Sequence, residues 1–234
     1  MSDRIPPLAL LAAYNVVQNT LLPQAAYVPS NLVATAALIT QARSQGCSWD
    51  DLGLDLREAR RSLAAGLVGV SLTAGVMAAA SLVPATQRYL VDERARGHER
   101  RAILFRSLIR FPLGTALFEE VAFRGVLYGS WRKQMSPARA ALLTAAAFGV
   151  WHLLPGRTAL AGNPLQASFS SKRATATAVL AGAAVTGVSS LLLTKLRVHT
   201  RSLLAPWLVH AGVNSIGFLG GVVAWRHHTQ AATR

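Results

Sequence analysis

Cysteine is all but missing: Cys47 stands alone among 234 residues, so neither an internal disulfide nor a cysteine-based metal cluster can form. Acid is scarce as well. Ten Asp and Glu face 24 Lys and Arg, a formal net charge of +14. Charged residues make up only 15% of the chain, where soluble domains carry roughly 25%. With 52% hydrophobic residues and a mean hydropathy of +0.33, neither a soluble globular domain nor a disordered chain fits. The basic balance alone would suit a nucleic-acid binder, but the basic residues flank long uncharged stretches instead of striping a polar domain. Such placement holds loops against anionic lipid head groups, so the expected partner is the lipid bilayer and not nucleic acid.

What is present is a series of uncharged runs, to be read against the about 20 apolar residues that cross a hydrocarbon core. Residues 5–42 carry no charge and are interrupted by Pro23 and Pro29, which reads as two short spans. Asn15, Gln18 and Asn19 break up the apolar character there, arguing against a cleaved signal peptide. A clear span covers 62–87, ending near Pro84, and others cover 111–131, 140–156, 174–194 and 202–225. Gly182, Ala183, Ala184 and Gly187 suit close helix contact. The expected fold is all-α, a polytopic membrane bundle of six to eight helices forming a single domain over 1–234. Between spans, 48–61 reads as a solvated loop or short surface helix, and the basic stretch 85–110 as an interfacial amphipathic helix. Basic residues are abundant in successive loops, so charge does not set the orientation.

From Arg100 to the end there are only two acids, Glu119 and Glu120, adjacent and inside a span. A charge at the bilayer centre costs roughly 2.5 to 3.5 kcal/mol on insertion scales, so such residues face inward and mark function. Glu120 and Arg124 stand at i and i+4 with the acid first, the favoured order for an ion pair. Glu119 has no such partner, and an unpaired carboxyl in low dielectric has its pKa raised toward that of a general base at neutral pH. His152 lies in the next span and His210 in the last, with Asn214 one turn beyond His210. Glu119, His152, His210 and Asn214 together can activate water and hold an oxyanion. The same carboxylate and two imidazoles also match a zinc site with an open position. His98, His199, His227 and His228 read as solvated, and Trp151, Trp207 and Trp225 as interfacial anchors.

Three motifs then coincide. Glu119-Glu120-Val121-Ala122-Phe123-Arg124 resembles the glutamate-glutamate-x-x-x-arginine motif of the CPBP family, the CAAX-protease and bacteriocin-processing (Abi) intramembrane proteases. Phe148 to His152 resembles its phenylalanine-x-x-x-histidine motif, and His210 to Asn214 its histidine-x-x-x-asparagine motif, in family order across 104–225. The resemblance implies an all-helical membrane endopeptidase acting on membrane-associated peptides or proteins, in a bacterial plasma membrane. By that analogy Glu119 activates water, His152 assists, His210 and Asn214 hold the oxyanion, and Glu120, Arg124 and Phe148 support them. Zinc on Glu119, His152 and His210 and a metal-free glutamate mechanism both stand open. Two other readings compete: a catalytically silent scaffold or immunity protein of the same fold, and a transporter using these groups as a proton relay. The intact motif set argues against the first, the lack of paired halves against the second.

Overall fold

The computed structural model describes residues 7–83, 98–161 and 171–232, with 86, 90 and 169 between them. Among the described residues every regular element is helical. The chain begins as a hairpin, α1 (Pro7–Thr20) and α2 (Tyr27–Ser44), broken where expected at Pro23. Pro29 does not break α2, because it sits in the first turn, where no backbone N–H is needed. At about 1.5 Å per residue α1 is about 21 Å long, too short to cross a hydrocarbon core of about 30 Å. The polar residues of this hairpin face inward: Asn15, Gln18, Asn31 and Thr35 are buried.

A short helix, α3 (Trp49–Leu52), follows, capped by reciprocal hydrogen bonds between Ser48 and Asp51. Instead of floating in solvent, this loop is clamped to the bundle. Leu52 is buried, and the guanidinium of the equally buried Arg197 donates to the Asp50 and Asp51 carbonyl oxygens. Gly53 lies flat against that guanidinium with φ 69°, where any Cβ would collide with it. Helix α4 (Ala59–Leu82) then presents Leu67, Val68, Leu72 and Val76 outward, the surface of a lipid-facing span.

Helix α5 covers 100–131 without a break, but π-helical winding replaces regular winding over Arg106–Ala116 and Glu120–Leu127. Pro112 accounts for one consequence of this. A π-helical bond would run from residue 112 to the Ser107 carbonyl, and proline has no N–H to give. Ser215 fills the vacancy, donating its hydroxyl to the Ser107 oxygen at 2.8 Å. Asn31 and Trp207 likewise donate to the carbonyls of Gly114 at 2.6 Å and Pro112 at 2.8 Å. The expected interfacial helix over 85–110 lies in part outside the described residues; from Arg100 onward that stretch is the beginning of α5.

Helices α6 (Pro137–Trp151), α7 (Leu153–Ala161), α8 (Lys172–Thr200) and α9 (Leu204–Ala232) complete the bundle. Among the described residues four segments are long and apolar enough to cross a membrane: Leu56–Leu82, Pro137–Ala161, Lys172–Thr200 and Leu204–Arg226. Helix α1, which is too short, and α5, which carries three buried charged residues, are not among these four. Close packing holds α6 to α8, where a Cβ on Gly149 would come within 2.9 Å of the Ala183 oxygen and one on Gly187 within 2.9 Å of the Ala145 oxygen. Gly182, in contrast, faces open space. Helix α9 runs alongside α4, with Gly66 against Leu208 and Gly220 against Met77.

Candidate active site

The middle of α5 carries the acids into the core, flanked by Phe118, Val121 and Phe123, all buried. Arg124 and Glu120 are completely buried and paired at 3.1 Å, the i, i+4 contact read from the sequence. The guanidinium also lies over the Phe148 ring at 4.1 Å. A buried pair of this kind needs further hydrogen bonds to offset its desolvation, and α9 supplies one. His210 Nδ1 stands 2.7 Å from the Glu120 oxygen that accepts from Arg124. Because that oxygen already accepts a guanidinium N–H, the imidazole is its second donor, which leaves the proton on Nδ1 and turns Nε2 toward Glu119.

His152 is oriented by a different route with the same result. It is the C-cap of α6, where the chain breaks before α7. Its Nδ1 donates to the Phe148 carbonyl at 2.8 Å, so Nε2 is again the nitrogen facing the carboxyl. The two Nε2 atoms lie 3.7 Å (His152) and 3.6 Å (His210) from Glu119 Oε2. Three residues separated by 33 to 91 positions therefore converge on one oxygen. That oxygen is buried and has no hydrogen-bond partner among the described residues. Asn214 is half-buried one turn along α9 from His210, and its carboxamide has no hydrogen-bond partner among the described residues.

Glu119 is nevertheless better held than its sequence position suggests. Trp151 Nε1 donates to Glu119 Oε1 at 3.1 Å, and Trp151 is itself buried against Phe118 and Phe123. The expectation that Trp151 anchors the interface is therefore corrected: it positions the carboxylate. Asn15 donates in turn to the Trp151 carbonyl at 3.0 Å, tying α1 to the site. Trp207 is half-buried, with its indole N–H donated to the Pro112 carbonyl. His199, expected in a loop, lies in the last turn of α8 with Nε2 3.1 Å from the Arg61 guanidinium. His98 lies edge-on to Phe218, while the side chains of His227 and His228 fall outside the described residues.

Two imidazole nitrogens and a carboxylate oxygen are a proper donor set for zinc, and the unpartnered Glu119 Oε2 fits such a role. Their arrangement is looser than the chemistry requires. Tetrahedral ligands at about 2.0 to 2.1 Å from zinc stand about 3.4 Å apart, against the 3.6 and 3.7 Å found here. No three His, Cys, Asp or Glu side chains among the described residues are arranged to hold a metal ion.

Residues 101–216 match the family model described as Type II CAAX prenyl endopeptidase Rce1-like. No curated protein and no solved structure matches the chain. The matched span opens at the start of α5, closes on α9 just past Asn214, and contains every residue that meets at Glu119. With three ordered motifs folded into one buried polar site of an integral membrane bundle, the chain belongs to the Rce1-like CAAX endopeptidase family, a family of membrane proteases.

Proposed function

We propose that this protein is an active intramembrane endopeptidase that hydrolyses peptide bonds of membrane-associated substrates, with Glu119 as the general base. The observation that carries the reading is the unpartnered Glu119 Oε2 facing two imidazole Nε2 atoms at 3.6 and 3.7 Å. A water molecule between them donates one hydrogen to Glu119 and the other to His152 Nε2. Its oxygen attacks the peptide carbonyl carbon while Glu119 takes the proton. Negative charge then develops on the carbonyl oxygen. The free Asn214 carboxamide donates to it, and His210, having taken a proton from bulk water at Nε2 while Nδ1–H stays on Glu120, adds a second donor. Collapse breaks the C–N bond, and Glu119 returns its proton to the leaving amine. The proposed setting is a bacterial plasma membrane.

A zinc ion on Glu119, His152 and His210 is a second reading of the same groups. When bound it would lower the pKa of its water toward neutrality, and it would need the three ligands to close by a few tenths of an ångström. The scaffold reading has no use for a buried carboxylate oxygen, Glu119 Oε2, left without a donor, since such an oxygen costs stability. Comparing the membrane peptides released by cells making wild type or Glu119→Gln tests the proposal. Peptides present only with the wild type are expected; identical peptide sets from the two would favour the silent scaffold.

A further inference from the structure

The helix that carries His152 into the site breaks for a reason visible in the sequence. Pro155 stands four residues after Trp151, so the N–H that would continue α6 by bonding the Trp151 carbonyl does not exist, and the proline ring crowds that same oxygen. Within α7, Pro155 sits in the first turn, where no N–H is needed. The next donor along the chain, the Gly156 N–H, goes to the His152 carbonyl at 2.8 Å. The Trp151 carbonyl is thus released from the helix ladder inside the bundle. A buried carbonyl in that position requires a donor from elsewhere.

That donor comes from the N-terminal hairpin. Asn15 is buried, and its side-chain amide donates to the Trp151 oxygen at 3.0 Å across 136 positions of sequence. Its neighbours hold it there: Tyr14 packs its ring on Phe118 at 5.3 Å and donates its hydroxyl to Asn31 at 2.6 Å, and Asn31 donates to the Gly114 carbonyl. The hairpin is therefore fastened to α5 on one side and to the α6–α7 break on the other. Both contributions of that break to the site hang on one peptide plane. Trp151 and His152 flank the peptide unit whose oxygen Asn15 holds, so fixing that oxygen fixes the plane from which both side chains leave. One of them gives its indole N–H to Glu119 Oε1 at 3.1 Å, and the other sets its Nε2 3.7 Å from Oε2.

We propose that Asn15 is a positioning residue for the hydrolysis: by replacing the donor that Pro155 removes, it holds the Trp151 indole and the His152 imidazole on the two oxygens of Glu119. The N-terminal hairpin, which lies outside the matched residues 101–216, is then a working part of the active site. This rests on the endopeptidase reading above. Packing alone does not account for an amide here, since an apolar side chain would fill the same space without the cost of burying a polar group.

Two variants of the full chain in nanodiscs test this, one with a readout that needs no turnover. Asn15→Leu keeps the volume and Asn15→Ala leaves room, and both delete the N–H; the alanine variant carries the test if leucine does not fit. With a substrate taken from the released-peptide comparison, kcat per folded molecule should fall on the order of tenfold or more in both, with KM unchanged. Asn15→Gln, which keeps the carboxamide, should recover part of the loss. In protein labelled with fluorotryptophan, the fluorine resonance that disappears in Trp151→Phe should move in Asn15→Leu and Asn15→Ala, while that of Trp207 stays. Wild-type kcat per folded molecule in both variants, or an unmoved Trp151 resonance, overturns the proposal. Failure of both variants to fold assigns Asn15 to the scaffold and overturns it as well. If the resonance moves but the wild type releases no peptides, the positioning contact stands and it is the endopeptidase reading that has failed.

Discussion

Replacing Arg124 by Met removes a fully buried guanidinium and leaves Glu120, also fully buried, with His210 as its only remaining donor. Breaking a buried pair by removing one partner costs about 3 to 5 kcal/mol, whereas replacing both partners by apolar residues of similar volume is often neutral. For a chain of this size each kcal/mol shifts the melting temperature by about 2 to 4 °C. Arg124→Met should therefore melt about 6 to 20 °C lower than wild type. The double variant Arg124→Met, Glu120→Met should recover most of that loss, a coupling energy of about 2 to 3 kcal/mol in a double-mutant cycle. Hydrolysis should be lost in the double variant, because without the Glu120 carboxylate His210 is no longer oriented through Nδ1. Melting followed by intrinsic tryptophan fluorescence in detergent reads the stability, and peptide release per folded molecule reads the activity. Additive melting shifts, or an active double variant, would refute the view that the pair both holds the bundle together and aims the imidazole.

Trp151→Phe keeps an aromatic ring but deletes the N–H on Glu119 Oε1, so activity per folded molecule should fall by about tenfold or more, measured as peptide release. Gly187→Ala should lower the melting temperature by forcing α8 off the Ala145 carbonyl, at about 1 to 3 kcal/mol, while Gly182→Ala, which meets nothing within 4 Å, should not. Burial pushes the Asp51 carboxyl up, but hydrogen bonds from Ser48 and the charges of Lys133 and Arg132 outweigh it and hold the pKa below 3.8. The stability it contributes is thus present above that value and lost as pH falls through the lowered folded pKa, a slope that Asp51→Asn should remove from acid-unfolding curves. Chelation followed by elemental analysis should leave peptide release unchanged; loss of activity restored by added zinc would establish the tighter, metal-bound form of the site.

The residues that meet at Glu119 were legible because chemistry in a membrane is conspicuous: two acids in a long basic stretch, and histidines within apolar runs, have few bland explanations. The expected pairing of Glu120 with Arg124 is found, but the sequence spacing held no sign that His210 shares the same oxygen. Trp151 was misread because tryptophan near a span end is usually interfacial. Its position directly before His152, at the C-terminal end of α6, was the available clue. The π winding of α5 left one trace, Pro112 in mid-helix, and nothing in the periodicity announced that Ser215, Trp207 and Asn31 would satisfy the carbonyls around it. The burial of Arg197 had no sign in the sequence, because the carbonyls of Asp50 and Asp51 come to it from a segment nearly 150 residues away.

The central claim is that Glu119 activates the water that enters the product. It is tested most directly by comparing wild type and Glu119→Gln, purified into nanodiscs in heavy-oxygen water with a substrate taken from the released-peptide comparison. With equal folded protein and equal melting temperatures, the wild type should place one heavy oxygen in each new C-terminal carboxylate, and Glu119→Gln should form that product about 10²-fold more slowly or less. Labelled product forming at the wild-type rate in Glu119→Gln would contradict the account.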